Sequence, residues 1–383
     1  MRIGILTLPL HTNYGGILQA YALQTVLQRM GHDVILLDKT SRAYNPWWHF
    51  PLSLIERSFK KYLFGKKNMI IFKEHKRNIE IPVIRQNTDR FINIHFPNRM
   101  MYRHIEKEVH PGMFDAIIVG SDQIWRPEYY RQISHAYLDF TQGWDIKRIA
   151  YAVSFGTDIW EYTSKQTECC KLLVQNFSNV SVREESAISL CRQYLDISPK
   201  LVLDPTMLLN PEDYLQLCSD EDYLLEGKGQ VLAYILDMTD DKKNFLNNIS
   251  YQLGLANFSV NNPSSENVKL PVEERIAPPV EQWLQGFSQA KYVVTDSFHG
   301  CVLSILFHKP FWVYSNKGRG LSRVKSLLSL FHLEDRIFNS SQEIHTSDHP
   351  FIPAINWTEV DNILSVLKEK SMNFLMENLN GNA

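Results

Sequence analysis

Short apolar runs alternate with helix-like patterns from the first residues of the chain. Arg2–Leu8 is an apolar run that predicts a strand. The next stretch, Gly15–Met30, repeats its apolar residues at the spacing of one helical face. Val34–Leu37 is again apolar, so these three segments predict a β-loop-α-β unit whose two strands are parallel.

The same alternation continues to about residue 331 and predicts an α/β protein. Further strands are expected at Ala116–Val119, Ile149–Val153, Val180–Val182, Leu201–Leu203, Val231–Leu236, Phe258–Val260, Tyr292–Thr295 and Phe311–Tyr314. Helices are expected in the second half at Lys242–Leu253, Pro279–Gln289, Phe298–Phe307 and Gly320–Phe331. Because strands and helices alternate, each sheet should be parallel, with ligands bound beyond the carboxyl ends of its strands.

A polar stretch, Cys218–Gly229, interrupts this pattern and suggests a boundary between two lobes. We therefore place a first Rossmann-like lobe at 1–227 and a second at 228–345, with a ligand-binding cleft between them. The remaining segment, 346–383, holds a helical pattern over Asp361–Met376. We expect this helix to pack back on the first lobe.

Composition excludes several classes of protein. The chain has 383 residues, of which 44% are hydrophobic and 21% charged, as in soluble globular proteins. A formal net charge of −2 gives no overall attraction to nucleic acid. Five cysteines without C-x-x-C spacing argue against disulfides and zinc, and they favour a reducing compartment. We expect a cytoplasmic protein that needs no metal or cofactor.

The charge is concentrated in one segment. Residues 41–110 hold 14 Lys and Arg against six Asp and Glu, a local charge of +8, so the remainder carries −10. Aromatic residues lie between these cations, among them Trp47, Trp48, Phe50 and Phe64. A solvated helical insertion with its aromatics in the core is the simpler interpretation. The alternative is contact with anionic headgroups at the inner face of the membrane.

Four loops that follow predicted first-lobe strands carry polar side chains suited to a binding site. The first, 11–16, places two glycines before a helix, which permits a close backbone approach but is equally typical of a simple turn. In the second, Asp122 is expected to orient a hydroxyl or to cap the next helix. The candidate binding residues of these loops are Asn13, Tyr14, Gly15, Gly16, Ser121, Gln123, Trp125 and Ser154.

Two further positions point to an anionic substrate and to proton transfer. Arg183 ends an apolar strand, where a guanidinium suits a carboxylate or phosphate, although it could instead pair with Glu184 or Glu185. His299 lies in the first turn of a predicted second-lobe helix. A histidine at such a switch from strand to helix favours a functional role, because its proton exchanges near neutral pH.

With these motifs in order, the chain resembles the polysaccharide pyruvyl transferase family. The resemblance rests on Asn13–Ala20, Gly120–Trp125, Ser181–Glu184, Leu203–Thr206, Asp296–Gly300 and Ser322–Val324. It implies a GT-B-like pair of lobes and the transfer of pyruvate from phosphoenolpyruvate onto two sugar hydroxyls as a cyclic ketal. The acceptor would be a sugar or a lipid-linked oligosaccharide. Many members have an Asp where this chain has Gly16.

The resemblance also suggests roles for individual residues. His299 would be the acid/base, Arg183 the clamp on the donor's carboxylate or phosphate, and Asp122 the base or orienter for the acceptor hydroxyl. The remaining donor-binding candidates are Ser297, Phe298, Gly300, Arg319 and Arg323. The resemblance assigns the acceptor to the candidate residues of the first-lobe loops, from Asn13 to Ser154.

Two other functions remain open from the sequence. One is a GT-B glycosyltransferase that uses a nucleotide sugar, for which the spacing of Glu266 and Glu274 is suggestive but falls in a proline-containing loop. The other is a non-catalytic glycan-binding protein, which would not need His299 together with Arg183.

Overall fold

The structure, a computed structural model, describes residues 1–40, 73–218, 230–265, 267–346 and 354–379. The predicted lobe boundary at 227 and Glu266 lie outside the described residues. So do the aromatic residues between 47 and 72 that suggested membrane contact. The described chain forms two α/β lobes, each built on a parallel sheet.

The first lobe contains a seven-stranded parallel sheet in the order β3-β2-β1-β4-β5-β6-β7. Its strands are β1 Arg2–Leu6, β2 Asp33–Lys39, β3 Arg99–Tyr102, β4 Ala116–Gly120, β5 Lys147–Val153, β6 Asn179–Val182 and β7 Lys200–Leu201. The central strand β4 is buried along its whole length. This burial on both faces explains why it is a continuous apolar run rather than an alternating one.

Helices cover the sheet of the first lobe and join its strands. They are α1 Tyr14–Arg29, α2 Lys73–Ile84, α3 Gln86–His95, α4 Ile105–Glu108, α5 Ser164–Val174, α6 Glu185–Leu190 and α7 Pro211–Leu215. Helix α1 begins just beyond the carboxyl end of β1, so its free N–H groups lie at the ligand-binding edge of the sheet.

The second lobe repeats this plan on a smaller scale. Its five-stranded parallel sheet has the order β12-β11-β10-β8-β9. The strands are β8 Val231–Tyr234, β9 Asn257–Phe258, β10 Tyr292–Thr295, β11 Phe311–Tyr314 and β12 Ile337–Phe338. The helices are α8 Asp240–Leu253, α9 Val280–Gln289, α10 Phe298–Leu306, α11 Leu321–Leu330 and α12 Glu343–Thr346. The prediction of an α/β protein with two Rossmann-like lobes is confirmed.

A long helix, α13 (Trp357–Leu379), crosses from the second lobe to the first. Near its start, Asp361 meets His308 of the second lobe, with 2.8 Å between Oδ1 and Nε2. Towards its end, the Ser371 hydroxyl accepts a hydrogen bond from the backbone N–H of Leu203 at 2.9 Å. The helix therefore holds the two lobes in one relative position. Within the described ranges, no helix is both long and apolar enough to cross a membrane.

The segment predicted as a helical insertion contains part of the main sheet. Strand β3 pairs in parallel with β2, and Tyr102 at its end is buried. The helical description therefore fails at 99–102, where a four-residue edge strand that begins with Arg99 is too short to show the apolar run of a central strand.

Several cations of this segment are held in ion pairs. One ion pair and one backbone hydrogen bond of the segment reach the second lobe. The pairs are Lys76–Glu80, Arg85–Asp89, Arg99–Asp38 and Arg90–Glu281. In addition, the carbonyl of Ile84 accepts a hydrogen bond from the Ala277 N–H at 2.9 Å. Helices α2 and α3 are thus a second bridge between the lobes.

Candidate functional site

A cavity of about 680 Å³ lies between the lobes, at the carboxyl ends of β1 and β4 on one side and of β8 and β10 on the other. This is where ligands bind in open parallel sheets. Of the predicted site residues, the cavity is lined by Asn13, Tyr14, Asp122, Gln123, Ser297, Phe298, His299, Arg319 and Arg323.

His299 belongs to the second lobe, and its ring lies against residues of the first lobe. It lies in the first turn of α10, which Ser297 caps by accepting a hydrogen bond from the Gly300 N–H at 3.5 Å. The residue is only 8% exposed. Its Nε2 has no hydrogen-bond partner among the described residues and lies 4.0 Å from Oδ1 of Asp204 in the first lobe. Its Nδ1 lies beside Gly15, so the ring is packed across the lobe interface.

Charged neighbours pull the pKa of His299 in both directions. Burial lowers it most, and Asp204 and Asp122 oppose this effect, whereas Arg183 and Arg323 add to it. The net result is a pKa below the ordinary value of 6.5. The imidazole is therefore largely neutral at pH 7, and negative charge brought in by a ligand would raise its pKa.

Gly15→Ala should reduce turnover by about 10²-fold, because the ring of His299 must move. A methyl group there would lie 2.1 Å from Nδ1 of His299, and a misplacement of about 1 Å can cost this much in rate. The matched control is Gly4→Ala in β1, whose methyl would meet Leu37 at an ordinary 3.4 Å. Steady-state rates for both variants test this, and equal rates would mean that His299 needs no fixed position.

Arg183 does not line the cavity, contrary to the prediction that it clamps the donor. Its guanidinium is 1% exposed and pairs with Asp204 and, at 2.9 Å, with Asp122. The Phe298 ring covers it, with its centroid 4.5 Å from the guanidinium carbon. Burial lowers the pKa of Arg183, but Asp204, Asp122 and Glu184 outweigh this and hold it above its ordinary value. The residue is a buried cation beneath the site.

Arg323 occupies the position that was expected of Arg183. It lies in the first turn of α11, and its guanidinium carbon is 5.8 Å from the centroid of the Phe298 ring that Arg183 also contacts. One N–H donates to the backbone carbonyl of Arg319 at 2.5 Å, while Nε finds no acceptor in the described part of the chain. Burial and Arg183 lower the pKa of Arg323 to about 10, so it remains charged at neutral pH. Arg323 lines the cavity 4.0 Å from the Asp122 carboxylate, so its positive charge can meet an anion that binds there.

Arg319 lies at the rim of the cavity and is neutralised by a partner. Its guanidinium donates two hydrogen bonds to Asp237, at 2.7 and 2.8 Å. These two bonds and a hydrogen bond from Asn316 lower the pKa of Asp237 to about 2, although burial acts in the opposite direction. Arg319 is 44% exposed, so it is better placed to attract an anion at the entrance than to hold it.

Five of the remaining predicted residues support the site from behind. Ser121 and Ser154 are wholly buried, where Ser121 donates to Gln19 at 2.7 Å and the Ser154 N–H donates to the Asp122 carbonyl at 3.0 Å. Trp125 stacks on Tyr137 in the core of the first lobe. Gly16 and Gly300 are buried within their helices. None of these five residues lines the cavity.

Asp204 and His11 are among the residues at or near the site that were not predicted. Asp204 is wholly buried between Arg183 and His299, and it belongs to the stretch Leu203–Thr206 that had been noted only as a motif. His11 lines the cavity two residues before the predicted Asn13 and remains partly open to solvent. Desolvation by the walls of the cleft and the charge of Arg85 lower the pKa of His11.

The described residues contain no group of three or more His, Cys, Asp or Glu side chains arranged to hold a metal ion. The arginines that line the cavity are Arg319 and Arg323.

Comparison with known proteins identifies one family. The model of the polysaccharide pyruvyl transferase family matches residues 13–318. No curated protein matches the chain.

Several solved structures resemble the fold at low sequence identity. One is the UDP-GlcNAc 2-epimerase of Methanocaldococcus jannaschii, with a TM-score of 0.48, 10% identity and all of both chains covered. Another is Alr3699/HepE of Anabaena in complex with UDP, with a TM-score of 0.48, 9% identity and all of both chains covered. A third is sucrose-phosphate synthase of Thermosynechococcus elongatus, with a TM-score of 0.48 and 11% identity over 99% of this chain and 98% of that one.

Proposed function

Because the chain belongs to the polysaccharide pyruvyl transferase family, we propose that it transfers pyruvate from phosphoenolpyruvate to a sugar of a cell-surface polysaccharide or of its lipid-linked precursor. The product is a cyclic ketal that bridges two hydroxyls. One observation carries this proposal. His299 and the charged Arg323 line the same interlobe cavity.

The donor is a small and highly charged anion, so its site needs cations and N–H donors. Arg323 supplies a guanidinium, and the N-terminal end of α10 adds the favourable end of a helix dipole beside His299. Arg183 offsets the negative charges of Asp122 and Asp204 behind this wall and does not line the cavity itself. We place phosphoenolpyruvate against this second-lobe wall.

The reaction requires a proton on one carbon and the loss of protons from two oxygens. Protonated His299 gives its proton to the methylene carbon of phosphoenolpyruvate, and the first sugar hydroxyl attacks the central carbon. The now neutral His299 accepts the proton of that hydroxyl. In the second step the other hydroxyl attacks the same carbon, the bond to phosphate breaks, and the proton of this hydroxyl passes to the departing phosphate. Atoms and charges balance without an oxidant or reductant.

The acceptor sugar lies against the first-lobe wall in this proposal. Asp122 faces the cavity there, and Arg183, His299 and Arg323 outweigh the effect of burial and hold its pKa below 3.8. A carboxylate that stays ionised accepts a hydrogen bond from a sugar hydroxyl and orients it. Asn13 and Gln123 line the same wall and provide neutral polar groups for the remaining hydroxyls.

Thermal-shift titration separates this proposal from its alternatives. Phosphoenolpyruvate should raise the melting temperature, because a ligand that binds only the folded state stabilises it. A response to nucleotide sugars but not to phosphoenolpyruvate would instead indicate a glycosyltransferase. A response to glycans alone would indicate a binding protein. Glu274, one of the two acids considered for a nucleotide, lies in the turn Val272–Arg275 and does not line the cavity.

Removal of divalent metal should leave activity unchanged. Arginine and the N–H groups of α10 can carry the anion, and we propose that no metal or cofactor takes part. Phosphate release measured with and without EDTA tests this. A loss of activity that only Mg²⁺ or Mn²⁺ restores would contradict it.

We also propose that the protein binds reversibly to the membrane surface. We place the enzyme in the cytoplasm, at the inner membrane face where lipid-linked sugars are displayed. Cations near an anionic leaflet contribute about 1 kcal/mol each, so the chain should sediment with anionic liposomes and be released by salt. Replacing Lys60, Lys61, Lys66 and Lys67 by Gln should abolish this. Equal, salt-insensitive recovery in the supernatant with anionic and neutral liposomes would overturn the hypothesis.

A further inference from the structure

Asp204 is a buried carboxylate that the chemistry proposed above does not use. It follows β7 in the first lobe and is wholly buried. Three donors fix its orientation. The Thr206 N–H and hydroxyl donate to Oδ1 at 3.0 and 2.6 Å, and Arg183 donates to Oδ2. A carboxylate held this rigidly cannot turn away from its neighbours.

The same oxygen, Oδ1, faces His299 across the lobe interface. It lies 4.0 Å from Nε2, which has no hydrogen-bond partner among the described residues. An approach of about 1 Å would bring the two atoms into hydrogen-bond range. The pair of His299 and Asp204 thus contains one residue from each lobe. The charge and orientation of the second-lobe imidazole therefore depend on a first-lobe carboxylate.

We infer that Asp204 is a positioning residue that holds the proton of His299 on Nε2 and so makes Nδ1 the nitrogen that exchanges protons with the substrate. Nε2 is the buried nitrogen, and Nδ1 lies on the opposite side of the ring, beside Gly15 at the start of α1. An acid next to one ring nitrogen fixes the tautomer and stabilises the imidazolium that forms during proton transfer. The expected effect on turnover rests on the proposed function. The expected position of the proton on Nε2 of His299 does not.

Four charged groups surround His299, and their signs determine the expected pH dependence. Asp204 and Asp122 raise its pKa, while Arg183 and Arg323 lower it together with burial. Of these groups, Asp204 has the largest effect. Removing its charge should therefore lower the pKa of His299 further and deplete the protonated form that donates to the substrate.

The test compares Asp204→Asn with the wild type. Turnover should fall about 10²-fold at neutral pH, with the KM for phosphoenolpyruvate nearly unchanged. The limb of the pH profile that reports protonated His299 should move to lower pH by about one unit. The control is Glu281→Gln, which removes another buried carboxylate from an interlobe ion pair, outside the cavity lining. This control should keep both the rate and the limb.

Nuclear magnetic resonance of nitrogen-labelled histidine provides the second measurement, with the His299 signal assigned from its loss in His299→Asn. In the wild type this signal should show the proton on Nε2. A proton on Nδ1 would overturn the inference, as would an unshifted pH limb in Asp204→Asn. If Asp204→Asn does not fold, the wild-type spectrum alone decides. Failure of the proposed function is distinct, because it appears as wild-type protein that releases no phosphate from phosphoenolpyruvate.

Discussion

Replacement of His299 by alanine should lower turnover by about 10²–10⁴-fold, the range typical for loss of a general acid or base. His299 is the cavity-lining imidazole that donates a proton to the donor and accepts one from the acceptor in the proposed reaction. The substitution opens space toward the cavity rather than inside a lobe, so the melting temperature should change little. Phosphate release under saturating substrates is the measurement.

The control for this variant is another histidine substituted in the same way. His332 does not line the cavity, is 72% exposed at its side chain and pairs with Glu359 at the start of α13. His332→Ala should retain the wild-type rate. A near wild-type rate in His299→Ala would remove this residue from the mechanism.

Replacement of Arg183 by methionine should reduce the free energy of unfolding by about 3–5 kcal/mol. The variant leaves the carboxylates of Asp122 and Asp204 buried without their cation, and breaking a buried pair from one side has this cost. Lysine should rescue only part of the loss, because one ammonium cannot bridge two carboxylates as a guanidinium fork does. Urea unfolding of the three proteins measures the difference.

A surface arginine provides the matched comparison. Arg29 pairs with Asp213 but is 55% exposed, so Arg29→Met should cost at most about 1 kcal/mol. If Arg183→Met were as stable as Arg29→Met and only the KM for phosphoenolpyruvate rose, Arg183 would contact the donor directly. The burial of Arg183 between Asp122 and Asp204 would then not explain what this residue does in the enzyme.

The sequence predicted the central strands well because they are buried on both faces. Such strands are continuous apolar runs, as in Ala116–Val119, and the observed β4 extends this prediction by one residue. Edge strands give no such signal. Strands β3 and β12 were not predicted, because β3 begins with a half-buried Arg99 and β12 has only two residues. Short or polar segments pair through their backbones, which residue patterns do not record.

The position of a residue in a loop after a strand was enough to predict part of the candidate site. Residues after strands lie at the ligand-binding edge by topology, and this placed Asp122, His299 and Arg323 at the cavity. The same rule failed for Arg183, because it does not specify the direction in which a side chain points. Its partner Asp204 is 21 residues away on a neighbouring strand end, and only the folded chain brings them together.

The central claim is that phosphoenolpyruvate gives its pyruvate to a sugar in the interlobe cavity. The most direct measurement supplies carbon-labelled phosphoenolpyruvate with a panel of simple and lipid-linked galactosides and mannosides. It records the label on the glycan and the phosphate released. We expect equal amounts of both with at least one acceptor, and neither with His299→Ala. Label that remains in phosphoenolpyruvate with every acceptor, while a nucleotide sugar does transfer its sugar, would contradict the account.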